Sequence, residues 1–275
     1  MAYDTILLRY GEIFLKGKNR SFFERKLLRN IKALARVRDI KMFQGRLTVD
    51  YFSEHVKLRN VFGLTSYSLA VQAEKDPEKI KQKALAMLLG KKGTFRVETK
   101  RSDKNFPHIS PEFNALIGKH IEAECTGLEF SLKDPNLILS IEINQEGVYL
   151  FLETITCHGG LPTGVEGAAI LLVEDKASIL AGLLFMKRGC SIVPVSFEEK
   201  DISLLQRFSP SQLKLKVMSG LSELESLRRK YDISILVSGQ HFKQYKKYDT
   251  SLLPMRPLIS YDSAEIDQRL QEYAA

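Results

Sequence analysis

Two groups of residues in this 275-residue chain have the type and spacing to do chemistry. The first is a pair of neighbouring carboxylates, Glu174 and Asp175, inside the turn Val173-Glu174-Asp175-Lys176-Ala177-Ser178. The apolar run Ala168 to Val173 precedes them with strand length. Ala177 to Met186 follows with helical character and is closed by Lys187, Arg188 and Gly189. A strand–turn–helix unit offers backbone N–H groups and a helix N-terminus, which favour an anion such as phosphate. Carboxylates in such a turn oppose it: about 4 Å from a phosphate, a negative charge costs roughly 1 kcal/mol in water and several in a partly buried cleft. As metal ligands or a general acid–base pair, Glu174 and Asp175 have no companions at ligand spacing. Next to a helix N-terminus they are favourable on dipole grounds alone, so capping is the role assigned, with Lys176 neutralising one of them.

The second group is basic. Lys16, Lys18, Arg20 and Arg25 lie on or beside a glycine-containing loop, and Lys100, Arg101 and Lys104 follow a strand next to Phe106 and His108. Such side chains neutralise phosphates, and aromatic rings beside them stack on unpaired bases. The net charge of +8 is uneven: residues 1–60 hold fourteen Lys and Arg against six Asp and Glu, and the remainder is nearly balanced. A basic end points to a polyanion, nucleic acid first, but a solvated helix surface accounts for the charge as well. Phe106-Pro107 reads as a buried turn, so Phe106 is assigned to the core.

His55, His108, His120, His158 and His241 are scattered with no metal spacing, and Cys125, Cys157 and Cys190 are isolated. Buried thiols of a reducing compartment are expected, with no catalytic residue, metal ligand or disulfide framework. No run of about 18 apolar residues occurs and the start carries no cleavage signal, so a cytoplasmic protein without a membrane span is expected.

Three sets of elements would position these groups. Thr5 to Arg9 reads as a strand, and Ser21 with Glu24 as a capping box opening a helix to about Ala35. Strands near Ile40 to Phe43, over Arg46 to Phe52 and over Tyr67 to Ala73, with a short helix Val56 to Val61, complete a ferredoxin-like unit over residues 1–75. Asp76-Pro77 opens a second set over 76–160: helix to Leu89, strand Thr94 to Thr99, helix from Ser110 to about Cys125, and a hairpin across Gln145-Glu146-Gly147. The third set, 161–275, reads as a Rossmann-like α/β domain with strands at 168–173, 191–197, 213–218, 233–238 and 257–260. The class is therefore α/β, with an α+β N-terminal half.

Several segments carry a resemblance: YGEIFLKGKNRSFFERKLLRNI, FRVETKR, DKNFP, SPEFNALIGKHI, GGLPTG, MKRG and MRPLISYDSAEI. In this order, over nearly the whole chain, they are similar to the tRNA 4-thiouridine synthetase (tRNA sulfurtransferase) family. The resemblance implies a THUMP RNA-binding domain at 76–160 and an adenine-nucleotide α-hydrolase-type domain at 161–275. It implies tRNA as ligand, recognised at its acceptor end, and places all seven basic residues named above in RNA-binding segments. The family adenylates a tRNA uridine with ATP and then transfers sulfur from a persulfide. Its SGG-x-DS phosphate loop falls on Val173 to Ser178, and only Ser178 agrees. The segment before Ile233 is shortened to Ser222 to Tyr231, and the sequence stops at Ala275, ahead of the family's reactive cysteine. The resemblance thus leads to tRNA binding with no cofactor, and to a vestigial nucleotide pocket at Leu171, Leu172, Ser196, Phe197 and Gly239. Two alternatives stay open: an active, ATP-dependent sulfurtransferase with an atypical site or a partner subunit, and a structural subunit that forms a homodimer through 161–275.

Overall fold

The structure, a computed structural model, describes residues 2–43 and 45–274. Strand β1 (Thr5–Tyr10) leads through a 3₁₀ segment, Glu12–Asn19, into helix α1 (Arg20–Ala35). Next come β2 (Lys41–Phe43), β3 (Arg46–Asp50), a 3₁₀ turn His55–Asn60 and β4 (Leu64–Ala73). Helix α2 (Pro77–Leu88), β5 (Gly93–Arg101), α3 (Ser110–Glu124) and β6 (Leu128–Phe130) precede β7 (Leu137–Ile143), β8 (Val148–Phe151) and β9 (Ile155–Thr156). Then follow β10 (Ala168–Leu172), α4 (Lys176–Lys187), β11 (Ser191–Ser196), α5 (Ser203–Phe208), β12 (Lys216–Val217) and α6 (Glu223–Tyr231). The last elements are β13 (Ile235–Ser238), β14 (Leu253–Met255) and α7 (Ser263–Ala274).

These elements form two compact units that share the chain in alternating pieces. One holds Met1–Arg9, Asp39–His55 and Ser66–Thr156; the other holds Tyr10–Arg38, Val56–Thr65 and Cys157–Ala275.

In the first unit the strands run β2-β3-β1-β4-β8-β7-β5-β6, with β9 also on β4. The β5 strand is parallel to β6 and β7, whereas β7 and β8 form the antiparallel hairpin. Its turn is set by Asn144, whose side-chain oxygen accepts from the N–H groups of Glu146 and Gly147 at 2.9 and 3.1 Å. Period-two alternation along β5 buries Phe95, Val97 and Thr99 on one face. Against that face pack Ile80 and Ala84 of α2 and Phe113, Ile117 and Ile121 of α3. Each such large side chain contributes about 1.5–3 kcal/mol by leaving water. Asp76 caps α2 by accepting from Glu78 N and Lys79 N, as the Asp-Pro start implies. Phe106 is buried in this core, as expected.

On the other face of the sheet lies a buried carboxylate. Glu142 of β7 accepts from Arg9 Nη2 at 2.8 Å and Arg46 Nε at 2.9 Å, while Arg9 also donates to Ser68 at 3.0 Å. Burial pushes the Glu142 carboxyl up, but the charges of Arg9 and Arg46 outweigh it and hold the group below the usual carboxylate range.

In the second unit a parallel sheet runs β12-β11-β10-β13-β14. The near-continuous apolar run of β10 follows from burial on both faces. Leu171 and Ala169 meet Leu180, Ala181 and Leu183 of α4, whereas Ile170 and Leu172 meet Leu224 and Leu227 of α6. Helix α1 joins this unit: Asn30 Nδ2 donates to Thr163 O at 3.1 Å inside the GGLPTG segment.

Three expectations are corrected. Ser21 does not cap α1, because the preceding 3₁₀ segment runs straight into the helix at Arg20; Glu24 instead accepts from Arg20 Nε at 2.7 Å and Tyr10 OH at 2.6 Å. The strand at 213–218 shrinks to Lys216–Val217. The fifth strand is Leu253–Met255 rather than 257–260, where Ile259 N closes a turn on Arg256 O at 3.2 Å. Pro257 has no N–H to give a ladder, and Pro254 is tolerated because β14 is an edge.

Candidate functional site

The turn after β10 lies at the carboxyl end of the parallel sheet. There β11 and β13 flank β10 on opposite sides, the topological switch point where open α/β sheets hold ligands. What fills the turn is the protein itself. Asp175 is the N-cap of α4 and accepts from Ser178 N at 3.1 Å. Ser178 Oγ accepts from Glu174 N at 3.1 Å and Asp175 N at 3.4 Å. Three N–H groups at the helix start are thereby bonded within the turn.

Glu174 takes no part in capping, contrary to expectation. Its carboxylate is held from across the sheet end by Lys246 Nζ and Tyr248 OH, both at 2.6 Å. Behind them Gln240 Nε2 donates to Tyr248 OH at 2.6 Å, and Arg256 Nε donates to Gln240 Oε1 at 2.9 Å. Burial and the bond to Glu174 push the Tyr248 phenol up, so it stays a donor at neutral pH. Lys176 does not neutralise either turn carboxylate; it pairs with Asp267 at 2.5 Å. Val173, Ala177 and Ser178 are buried. None of the partners Gln240, Lys246, Tyr248 and Arg256 was legible as a site residue, since each lies more than sixty positions away.

The five residues of the vestigial pocket part company. Leu171 and Leu172 point into opposite cores, and Ser196 Oγ accepts from Glu198 N within its own turn. Phe197 is exposed. Gly239 abuts the start of α4, where a Cβ would stand 2.2 Å from Ser178 N. Gly239→Ala must therefore push the helix start away, and a loss of about 2 kcal/mol is expected from such overpacking. Chemical denaturation of the variant against the parent measures it.

The basic residues are of two kinds. In the second unit Lys18 and Arg25 are exposed, but Lys16 and Arg20 are committed. Lys16 lies over the Phe23 ring and reaches Glu166 at 3.5 Å; Arg20 stacks over Phe14 and pairs with Glu24. In the first unit Lys100 and Lys104 are exposed, and Arg101 donates to Phe106 O at 3.0 Å. Lys100 and Arg101 share a cleft of about 270 Å³ with Arg46, Ser102, Glu142 and Asn144. Arg46 and Asn144 escaped sequence reasoning as site residues: Asn144 follows β7, the neighbour of β5, and Arg46 of β3 reaches the cleft through its bond to Glu142.

No thiol is activated. Cys125 is buried, whereas Cys157 and Cys190 are only half-buried, less than expected. Burial pushes the Cys157 thiol up to about 12 against the opposing charge of Arg59. Burial and Lys187 lower His158 to about 4, consistent with a neutral ring stacked on Tyr273 at 4.5 Å. Among the described residues no group of three or more His, Cys, Asp or Glu could hold a metal, and no helix is long and apolar enough to cross a membrane.

A ferredoxin-like strand set, a helix-covered mixed sheet and a parallel α/β sheet with its switch point define a multidomain α/β protein. Family profiles match a ThiI ferredoxin-like domain over residues 5–68 and a THUMP domain over residues 74–153. A probable tRNA sulfurtransferase of Geobacillus kaustophilus is 32% identical over 97% of this chain and 81% of its own length. That alignment runs over 330 positions, more than the chain has residues, so the relative carries internal segments absent here. A Natranaerobius thermophilus relative of the same name is 35% identical over 82% of this chain and 57% of its own. The crystal structure of PH1313 from Pyrococcus horikoshii Ot3 superposes with a TM-score of 0.86 at 30% identity, covering 99% of this chain and 100% of that one. A 4-thiouridine synthetase crystallised with RNA and bound ATP gives 0.84 at 26% identity, covering 98% and 85%. The chain belongs to the tRNA sulfurtransferase family.

Proposed function

We propose that this protein binds tRNA and serves in its modification without adenylating the RNA itself. One observation carries the second half: the turn at the switch point is closed on itself, with Glu174 set between Lys246 and Tyr248 and three N–H groups bonded inside the turn. The family implies ATP. The residues present do not fit its phosphates, since three N–H groups of the turn are already bonded and the Glu174 side chain there is an anion. Exposed Lys18, Arg25, Lys100 and Lys104, and the cleft of Arg46, Lys100 and Arg101, support tRNA as the ligand.

Isothermal titration with ATP, and a pyrophosphate-release assay with tRNA present, test this reading. No micromolar binding and no release are expected. Replacing the turn as Val173→Ser, Glu174→Gly, Asp175→Gly and Ala177→Asp frees the Ser178 N–H from the Asp175 carboxylate and removes the Glu174 carboxylate from Lys246. This variant is expected to gain measurable ATP affinity without turnover. Pyrophosphate release by the parent protein would overturn the proposal in favour of an active sulfurtransferase with an atypical site.

A further inference from the structure

The segment after β13 carries a surface that neither the turn nor the basic residues named so far account for. Phe242 and Tyr245 are 80% and 59% exposed, unusual for rings of that size. They alternate with cations: between His241 and Arg256 the sequence holds Lys243, Lys246, Lys247 and Arg256 against Asp249 alone. The arrangement is held in place. Phe242 N donates to Ile259 O at 3.0 Å, fixing the short 3₁₀ turn Phe242–Gln244. The Arg256 guanidinium lies 4.8 Å from the Tyr245 ring centroid and donates to Lys246 O at 3.0 Å. Beside Phe242 runs a trough of about 480 Å³ with Ile259 and Tyr261 in its walls. Asp262 at its rim is engaged, accepting from Glu265 N at 2.9 Å.

We propose that Phe242 and Tyr245 are a stacking platform for an unpaired RNA base, with Lys243 and Lys247 on the flanking phosphates. The inference rests on the tRNA reading above and places an RNA contact on the parallel α/β sheet. Exposed π-faces interleaved with lysines match a chain of bases and phosphates, because rings take any base and ammonium groups take the backbone. Arg256 behind Tyr245 stiffens the ring and adds a cation–π component. A second copy of this chain is the competing occupant, since the β14 edge exposes Leu253 and Met255 nearby in sequence. A two-fold contact would set the same lysines against one another, which disfavours it.

The test is fluorescence anisotropy of full-length protein with total tRNA, alongside sedimentation and thermal melting. Phe242→Ala with Tyr245→Ala is expected to weaken binding roughly tenfold or more at unchanged melting temperature. Lys243→Ala with Lys247→Ala is expected to weaken it and to lower the salt slope by about two. Ultraviolet crosslinking should tag the peptide containing Phe242 and Tyr245. If these variants bind as the parent does while Lys100→Ala with Lys104→Ala binds less, the platform is refuted and tRNA binding stands. If the parent protein binds no tRNA, both readings fall. Unchanged affinity with a shift from dimer to monomer would make the surface a contact between copies and overturn the proposal.

Discussion

Raising the salt from 50 to 200 mM is expected to weaken tRNA binding by about a thousandfold, the largest effect anticipated for this protein. The size follows from counterion release: about six neutralised phosphates give a logarithmic slope near five. Exposed lysines and arginines concentrated in residues 1–60 are expected to supply several of those contacts. Structure separates the contributors. Lys18→Ala with Arg25→Ala should reduce the slope by about two and leave the melting temperature within a degree or so, because exposed sites of this kind cost under about 0.5 kcal/mol. Arg20→Ala should behave differently, since that side chain bridges Phe14, Glu24 and Tyr10. It is expected to lower stability along with affinity. Anisotropy titrations at four salt concentrations settle the matter, and a flat profile would remove the electrostatic account of tRNA binding.

The second large effect concerns Glu142. Glu142→Ala leaves the Arg9 and Arg46 guanidinium groups without the buried carboxylate between them. A cost of about 3 kcal/mol is expected, the low end for a broken buried pair because Arg46 keeps 30% side-chain exposure. Denaturant unfolding reads it directly. The pH dependence has a defined sign. The folded-state pKa of Glu142 is depressed, so its contribution is present above the ordinary carboxylate pKa and is lost as pH falls through the lower folded value. Glu142→Gln should therefore lose stability at neutral pH and show a shallower decline in acid. An unchanged acid limb in that variant would mean the carboxylate is not coupled to folding.

Local signals made much of this fold legible. The apolar run of β10, the Asp76-Pro77 helix start and the Gln145-Glu146-Gly147 turn each specify an element from adjacent residues. Pairings across long stretches of chain were hidden. Glu174 meets Lys246 and Tyr248 at separations of 72 and 74 residues, and Arg9 meets Glu142 at 133. Periodicity cannot anticipate such partners, so Glu174 read as a helix cap and Arg20 as a loop cation. The aromatic–basic strip was visible as letters, Phe242-Lys243-Gln244-Tyr245-Lys246-Lys247-Tyr248. Its meaning depended on which rings face water: Tyr248 is buried and Phe242 is not.

The alternation of the chain between its two compact units has a consequence for modularity. Phe62 packs against Phe208 at 5.2 Å, although 146 positions of sequence separate the two. Helix α1 likewise supplies the amide that bonds Thr163. A cut after the last strand of the mixed sheet would strip the parallel sheet of pieces made at the other end of the gene. Neither unit is then a cassette that recombination could move intact. A chain without adenylation, as proposed for this one, could not discard the parallel sheet by simple truncation without also losing partners for helix α1.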